Sequence, residues 1–211
     1  DPNDSPYSHY CTYNIEPYKA GELMGGTCPA SSQPITYANG NKYLAHTDVI
    51  GDVLGGLQIS RHYNSLGVDG GVRMGARWRL NVDRSLGLDS VNMITAYRGS
   101  GRYLNMVRRE NAFIPTGGGA EVVREVFDGD ELIGWTFTDI DGQTDRYNAD
   151  GQVVSITNPE GESWRIGRNS AGQIVSVENA FGTRISLLYG TKEKLEALLL
   201  PDGSQVSYGY D

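Results

Sequence analysis

Over residues 141–211, apolar and polar positions recur on a fixed period. Gly142, Gly161, Gly182 and Gly203 each follow a turn-opening residue (Asp141, Glu160, Phe181, Asp202), at spacings of 19, 21 and 21 residues. Gly151 and Gly172 fall midway between them. Each unit predicts two short strands with a glycine turn after each, because hairpin turns use positive φ, where a Cβ clashes. The strand after the first glycine alternates: Trp164 and Ile166; Ile185, Leu187 and Tyr189; Val206, Tyr208 and Tyr210. Period two predicts one buried face. In the other strand the apolar residues are three apart: Val153 and Ile156, Ile174 and Val177, Leu195 and Leu198. A small residue (Ser155, Ser176, Ala197) precedes the second of each pair. That odd spacing predicts a bulge, or cover on both faces. The first unit is shorter. Counted from its glycine, Asp145 stands where its successors have Trp164, Ile185 and Val206, which marks a transition unit.

Upstream, the same logic predicts plainer hairpins. Asn39-Gly40 is a hairpin turn signal. Further turns are expected at Gly99-Ser100-Gly101, at residues 117–119 and at Asp128-Gly129. Residues 57–63 alternate into a strand with a mixed outer face. Trp78, Leu80 and Val82 alternate with Arg77, Arg79, Asn81 and Asp83, a strand whose basic face meets solvent or pairs with acids. Asp83-Arg84-Ser85 reads as a local polar turn. Residues 191–200 (TKEKLEALLL) favour helix on propensity alone. Repeat register favours strand, because Pro201-Asp202-Gly203 aligns with Pro159-Glu160-Gly161, and strand is the expectation adopted. Residues 1–33 show no period, and their Pro, Gly, Ser and Tyr predict an irregular arm lying along the body.

Composition narrows the class. Of the 211 residues 38% are hydrophobic and 21% charged, with 28 glycines and 13 tyrosines, which favours a folded chain of many short strands. A net charge of −8 argues against a nucleic-acid-binding surface. No run of 18 apolar residues offers a helical membrane span. The Asp1-Pro2 start reads as that of an excised or processed piece. Cys11 and Cys28 both lie in the arm, and a disulfide there would contribute roughly 3 kcal/mol by loop-closure entropy. Two free thiols is the alternative, and sequence alone does not settle the pairing.

Candidate chemistry is sparse. His9, His46 and His62 sit in no motif, and no serine lies in a G-x-S-x-G elbow. The glycine strings lack the Lys-Ser/Thr step of a phosphate cradle. Asp128, Asp130, Asp139 and Asp141 lack EF-hand spacing and read as turn residues. No catalytic residue, cofactor or metal ligand is assigned.

Two sets of motifs carry a family resemblance. The units resemble the tyrosine-aspartate (YD) repeats of Rhs proteins: a G-R-L-type strand (residues 151–153), a D-P-x-G-type turn (158–161) and Y-x-Y-D (208–211). The closing pair is literal only at Tyr210-Asp211, the earlier units having Tyr147-Asn148, Arg168-Asn169 and Tyr189-Gly190. Upstream, Gly40, Asn41, Lys42 and Tyr43; Thr47 and Asp48; Arg61, Tyr63, Asn64 and Ser65; Gly75 and Trp78; and Asp83 and Leu86 resemble, in order, the segment that precedes YD repeats in that family. A second glycine usually stands before the tryptophan there, and here it is Arg77. Together the two sets cover residues 34–211.

The resemblance implies an all-β fold of antiparallel hairpin repeats, part of a spiralling sheet that closes into a shell. The division expected is an arm at 1–33, a lead-in or cap region of hairpins at 34–140, and YD repeats at 141–211. It further implies a secreted or cell-surface bacterial toxin whose shell holds a toxic C-terminal domain, with catalysis lying downstream. The lead-in motifs lean away from the animal teneurins, which share the repeats. Partners implied are the rest of the chain, the enclosed toxin domain, and secretion or adaptor proteins. Two other classes compete. A tyrosine-rich carbohydrate-binding module would expose Trp164, Tyr189, Tyr208 and Tyr210 along one groove. A glycosidase would place two carboxylates roughly 5–10 Å apart in a cleft.

Overall fold

The computed structural model describes residue 35, residues 40–51 and residues 56–210. The arm with Cys11 and Cys28 lies outside the described residues, as does Asn39. Every element among the described residues is a strand. β1 (Tyr43–Val49), β2 (Ile59–Asn64) and β3 (Trp78–Leu80) form a small antiparallel sheet in chain order. The next thirteen strands form one sheet, each pairing with its neighbours in sequence. Its first half comprises β4 (Ser85–Ser90), β5 (Met93–Tyr97), β6 (Tyr103–Arg109), β7 (Ala112–Pro115), β8 (Val122–Asp128) and β9 (Glu131–Thr138). The repeats supply β10 (Thr144–Asn148), β11 (Val153–Thr157), β12 (Ser163–Arg168), β13 (Ile174–Asn179), β14 (Arg184–Tyr189), β15 (Leu195–Leu199) and β16 (Gln205–Ser207).

The odd apolar spacing resolves as a bulge. On β11 the step from Ser155 to Val153 opposes the single step from Arg146 to Tyr147. The same two-against-one count recurs on β13 and on β15. The extra residues are Val154, Val175 and Glu196, 21 apart. The slip restores alternation, so both members of each apolar pair are buried. The pairing also corrects the register of the first unit. Asp145 opposes Ile156 as Ile166 opposes Val177 and Leu187 opposes Leu198. Its counterparts are therefore Ile166, Leu187 and Tyr208, not Trp164, Ile185 and Val206. The two missing residues fall before it in the turn-proximal part of the unit.

One turn is used throughout the repeats. The amide of Asn148 donates to Gln152 O (2.9 Å) and that of Gly151 to Asn148 O (3.0 Å). This is a three-residue loop ending in a left-handed residue. Gly142, Gly161, Gly182 and Gly203 hold that place with φ of +88°, +89°, +82° and +83°. An Asx side chain clips most of these turns: Asp139, Asn148, Asn158, Asn169 and Asn179 accept the amide four residues on. Asn148 and Asn169 occupy the aspartate place of the Tyr-Asp pair.

At the third midway turn the left-handed residue is Glu193, φ +57°. Gly151 and Gly172 hold the equivalent places at +77°. A non-glycine residue there costs on the order of 1–2 kcal/mol, and the exposed pair of Glu193 with Arg73 returns at most about 1 kcal/mol. Glu193→Gly is therefore expected to stabilise the chain by about 0.5–1 kcal/mol, read as a higher urea midpoint at unchanged slope. A lower midpoint would show that the ion pair outweighs the strain. Arg77 is a second case, with φ of +67° where the family usually has glycine. Its amide donates to Asp69 Oδ1, and its guanidinium donates to Ser65 O and Gly67 O, which offsets the strain.

Residues 195–199 form β15 and not a helix. Leu195, Ala197 and Leu198 are buried, and the strand pairs on both edges. Packing overrides a propensity worth a few tenths of a kcal/mol per residue.

The large sheet coils. The Leu86 amide of β4 donates to Gly151 O in the β10–β11 turn (2.8 Å), and Ser85 bridges Gln152. The first strand thus meets a turn seven strands along, and Gly151 has no room for a side chain because a Cβ would overlap Leu86 O. The interior of the coil is filled from the lead-in segment. Leu57, Ile59, Val72, Met74, Leu80 and Val82 share one buried cluster with Phe113, Phe137, Ile166, Ile185 and Leu198 of the coil. β3 is consequently covered on both faces: Arg79 and Leu80 are both buried, and Arg79 pairs with Asp83 at 3.5 Å. Asp83-Arg84-Ser85 is more than a local turn. Asp83 accepts the Val72 amide (2.9 Å), Arg84 reaches across the core, and Ser85 opens β4.

Candidate functional site

The lead-in segment is tied to the coil at two polar points. The first is built on Asp145. It occupies a core-facing position on β10, and it is fully buried. Its Oδ1 accepts Arg84 Nη1 (2.7 Å), and its Oδ2 accepts Arg98 Nη1 (2.6 Å) and the Tyr147 hydroxyl (3.0 Å). Arg84 precedes β4, and Arg98 follows β5. Arg98 also lies over the Phe137 ring at 3.9 Å. Burial alone would raise the Asp145 carboxyl, but Arg98 and Arg84 outweigh it and hold the group below the ordinary carboxylate range. Burial pushes the Tyr147 hydroxyl up, with Asp145 adding to it, so it stays a neutral donor.

The second tie is built on Tyr208, which follows β16. Its hydroxyl donates to Asp48 Oδ2 of β1 (2.8 Å). Asp48 also pairs with Arg61 of β2 at 3.1 Å, and Arg61 lies between the rings of Trp78 (5.6 Å) and Tyr208 (5.8 Å). Asp145, Ile166, Leu187 and Tyr208 form one inward row. Its ends are polar and grip the lead-in segment, and its middle is apolar over the apolar filling.

A second row, Tyr147, Arg168, Tyr189 and Tyr210, binds backbone or buried charge. Tyr189 donates to Ile174 O (2.8 Å) and Tyr210 to Leu195 O (2.5 Å), and Arg168 Nη1 donates to Gly172 O (2.8 Å). Trp164, Tyr189 and Tyr208 are part-buried and pack on the core.

The lead-in motif residues lock one another. Asn41, fully buried, accepts the Ser65 hydroxyl (2.9 Å) and the Leu66 amide (3.2 Å). Asn64, also fully buried, accepts the Leu66 amide (3.1 Å). Tyr63 packs its ring on Trp78 with centroids 5.5 Å apart. Gly40 turns the chain into β1 with φ of +71°.

An open hollow of about 410 Å³ adjoins the Asp145 cluster, lined by His62, Arg84, Arg98, Arg102, Glu121 and Asp139 among others. Glu121 is held by Arg102 (2.9 Å), and Asp139 accepts the Gln143 amide of its own turn (2.9 Å). His62 contacts the Tyr43 hydroxyl (2.7 Å) through Nδ1 and the Ser60 hydroxyl (3.0 Å) through Nε2. Burial, then Arg84, lowers its pKa, which keeps the ring neutral near pH 7. This serine–histidine contact has a tyrosine where a triad has a carboxylate, and Ser60 is itself buried. Among the described residues no group of three or more His, Cys, Asp or Glu could hold a metal ion.

Sequence reading missed both ties. The signal for the first was a charged residue at an otherwise apolar repeat position. The second carried no signal, since Asp48 and Tyr208 are 160 residues apart.

Successive hairpins on a 21-residue period, closed by one turn type and coiled around a lead-in segment, define a β-repeat structural module. Residues 147–184 match the RHS repeat, and residues 32–106 match a domain of unknown function, DUF6531, often associated with such proteins. The RHS-repeat match supports the Rhs/YD-repeat family for these units. A search of curated proteins found no match to the chain. Rhs-repeat proteins are typically extracellular or on the cell surface, and no helix among the described residues is long and apolar enough to cross a membrane.

Proposed function

We propose that this chain is the opening of an Rhs shell that encloses and helps deliver a C-terminal toxin domain in a secreted bacterial toxin, and that its own role is structural, not catalytic. The observation that carries the reading is the contact of Leu86 with Gly151, by which the sheet curls back on its own first strand. A coil begun in this way and filled by residues 57–82 is closed at its start and grows by adding hairpins. The outer edge of β16 has no pairing strand among the described residues, and such an edge is a template for the next repeat. In this reading residues 1–33 are an arm with a Cys11–Cys28 bridge, 34–140 a cap and 141–211 the first YD repeats. The partners are the rest of the chain, the enclosed domain, and secretion or adaptor proteins.

A carbohydrate-binding module is the runner-up. Against it, Trp164, Tyr189 and Tyr208 are packed on the core, and the hydroxyls of Tyr189, Tyr208 and Tyr210 are engaged within the chain. Against a glycosidase, Glu121 and Asp139 beside the hollow at the Asp145 cluster already hold structural partners. The test is the native parent polypeptide, sized without reductant and imaged by electron cryomicroscopy. Further hairpins added at β16 and a separate domain inside the coil are the expected result. A native protein that stops near residue 211 as a monomer overturns the shell reading.

A further inference from the structure

The turn between β13 and β14 breaks the repeat rule in its chemistry. The residue before the leading glycine is Asp141, Glu160 and Asp202 in the other units, and here it is Phe181. Phe181 is 84% exposed. Neither turn formation nor core packing accounts for a phenyl ring at that place, because burial is what makes it favourable and it has almost none.

Phe181 borders an open hollow of about 200 Å³ between the β11–β12 and β13–β14 turns. Trp164, Glu160 and Glu162 line the same hollow, and among the described residues no lysine or arginine does. Glu162 is fixed at its turn: its amide donates to Asn158 Oδ1 (2.8 Å), and its Oε2 accepts Asn158 Nδ2 (2.9 Å). Elsewhere Glu121, Glu125 and Glu193 each hold an arginine of this chain. Among the described residues Glu160 and Glu162 hold none.

We propose that this hollow is a docking site for an arginine side chain of a partner polypeptide. Two carboxylates that pair with no arginine or lysine among the described residues, set beside two aromatic rings, match a guanidinium on both counts. Its planar face stacks on aromatic rings and its fork of N–H donors takes a carboxylate. The chain's net charge of −8 favours approach of a cationic partner. A neutral sugar would satisfy the rings and leave the carboxylates without a counter-charge.

The test is titration of the 211-residue chain with N-acetyl-arginine amide, followed by the Trp164 indole resonance. The control is the citrulline amide, a neutral molecule of nearly the same shape. The expected result is a saturable shift, with arginine bound at least about tenfold more tightly than citrulline and binding that weakens as salt is raised. Phe181→Asn removes the ring without adding charge and keeps a turn-forming residue at this place, so its fold is expected to be kept. It should weaken arginine binding roughly fivefold, as should Glu160→Gln with Glu162→Gln. No saturable shift, equal binding of citrulline, undiminished binding by Phe181→Asn, or an equal response to N-acetylglucosamine would each overturn the proposal.

Discussion

Replacing Asp145 with Asn is expected to destabilise the chain by about 3–5 kcal/mol, the cost of leaving buried charge without its partner. The side chain keeps its shape, but Arg84 and Arg98, 12% and 10% exposed, lose the charge both address. Urea unfolding should show a large fall in midpoint at unchanged slope. A loss below about 1 kcal/mol would mean that water reaches the cluster and screens it. The triple variant Asp145→Leu, Arg84→Met, Arg98→Met should recover most of the loss, because an apolar replacement removes the desolvation cost along with the attraction. Leu is the residue the row already uses at Leu187.

The same cluster makes stability depend on acid. The folded-state pKa of Asp145 is depressed, so its contribution is fully present above the unfolded value near ~3.9 and is lost as pH falls from there through the lower, folded value. The parent chain should therefore lose stability steeply below about pH 4, and Asp145→Asn should lose that part of the slope. Parallel pH profiles for the two would remove Asp145 from the acid transition.

Gly151→Ala is expected to cost roughly 2–4 kcal/mol, in two parts that a control separates. Gly151 and Gly172 share a φ of +77°. At Gly172 a Cβ would meet only the end of the Gln152 side chain, at 3.4 Å. Gly172→Ala thus reports the left-handed strain alone, on the order of 1–2 kcal/mol. At Gly151 the added methyl also meets the Leu86 carbonyl and forces the β4 edge away. The difference between the two variants measures the closure of the coil. Hydrogen exchange at the Leu86 amide should lose protection in Gly151→Ala and keep it in Gly172→Ala. Equal costs and an unchanged Leu86 amide would show that the coil holds without this contact.

Much of this architecture is written locally. A glycine in a three-residue loop, an Asx that accepts the amide four residues on, and apolar pairs three apart each act over a few bonds. They determine strands, turns and bulges wherever the chain is placed. Even β15, helical by propensity, is settled by its repeat neighbours, because Leu195 and Leu198 fit the same bulged strand as Val153 and Ile156. The lead-in motifs were legible as a family pattern, but their work was not. Asn41 with Ser65 and Leu66, and Arg61 between Trp78 and Tyr208, take their meaning from strand pairing and packing. Arg77 and Glu193 show the reverse: each departs from glycine at a left-handed residue, a strain visible only in the backbone.

Period, and residues that tolerate particular φ, were enough to establish the repeat, its turns and its all-β character; the odd apolar spacing left a bulge and two-sided cover as alternatives, which the strand pairing resolved as a bulge. That Asp145 answers to Ile166, that Arg84 and Arg98 converge on it from 61 and 47 residues away, and that the sheet returns to its first strand at Gly151 emerge only from the folded packing. Those facts depend on how far each strand twists against the next and on what fills the interior. The partners that result are remote in the chain, so no local pattern encodes them.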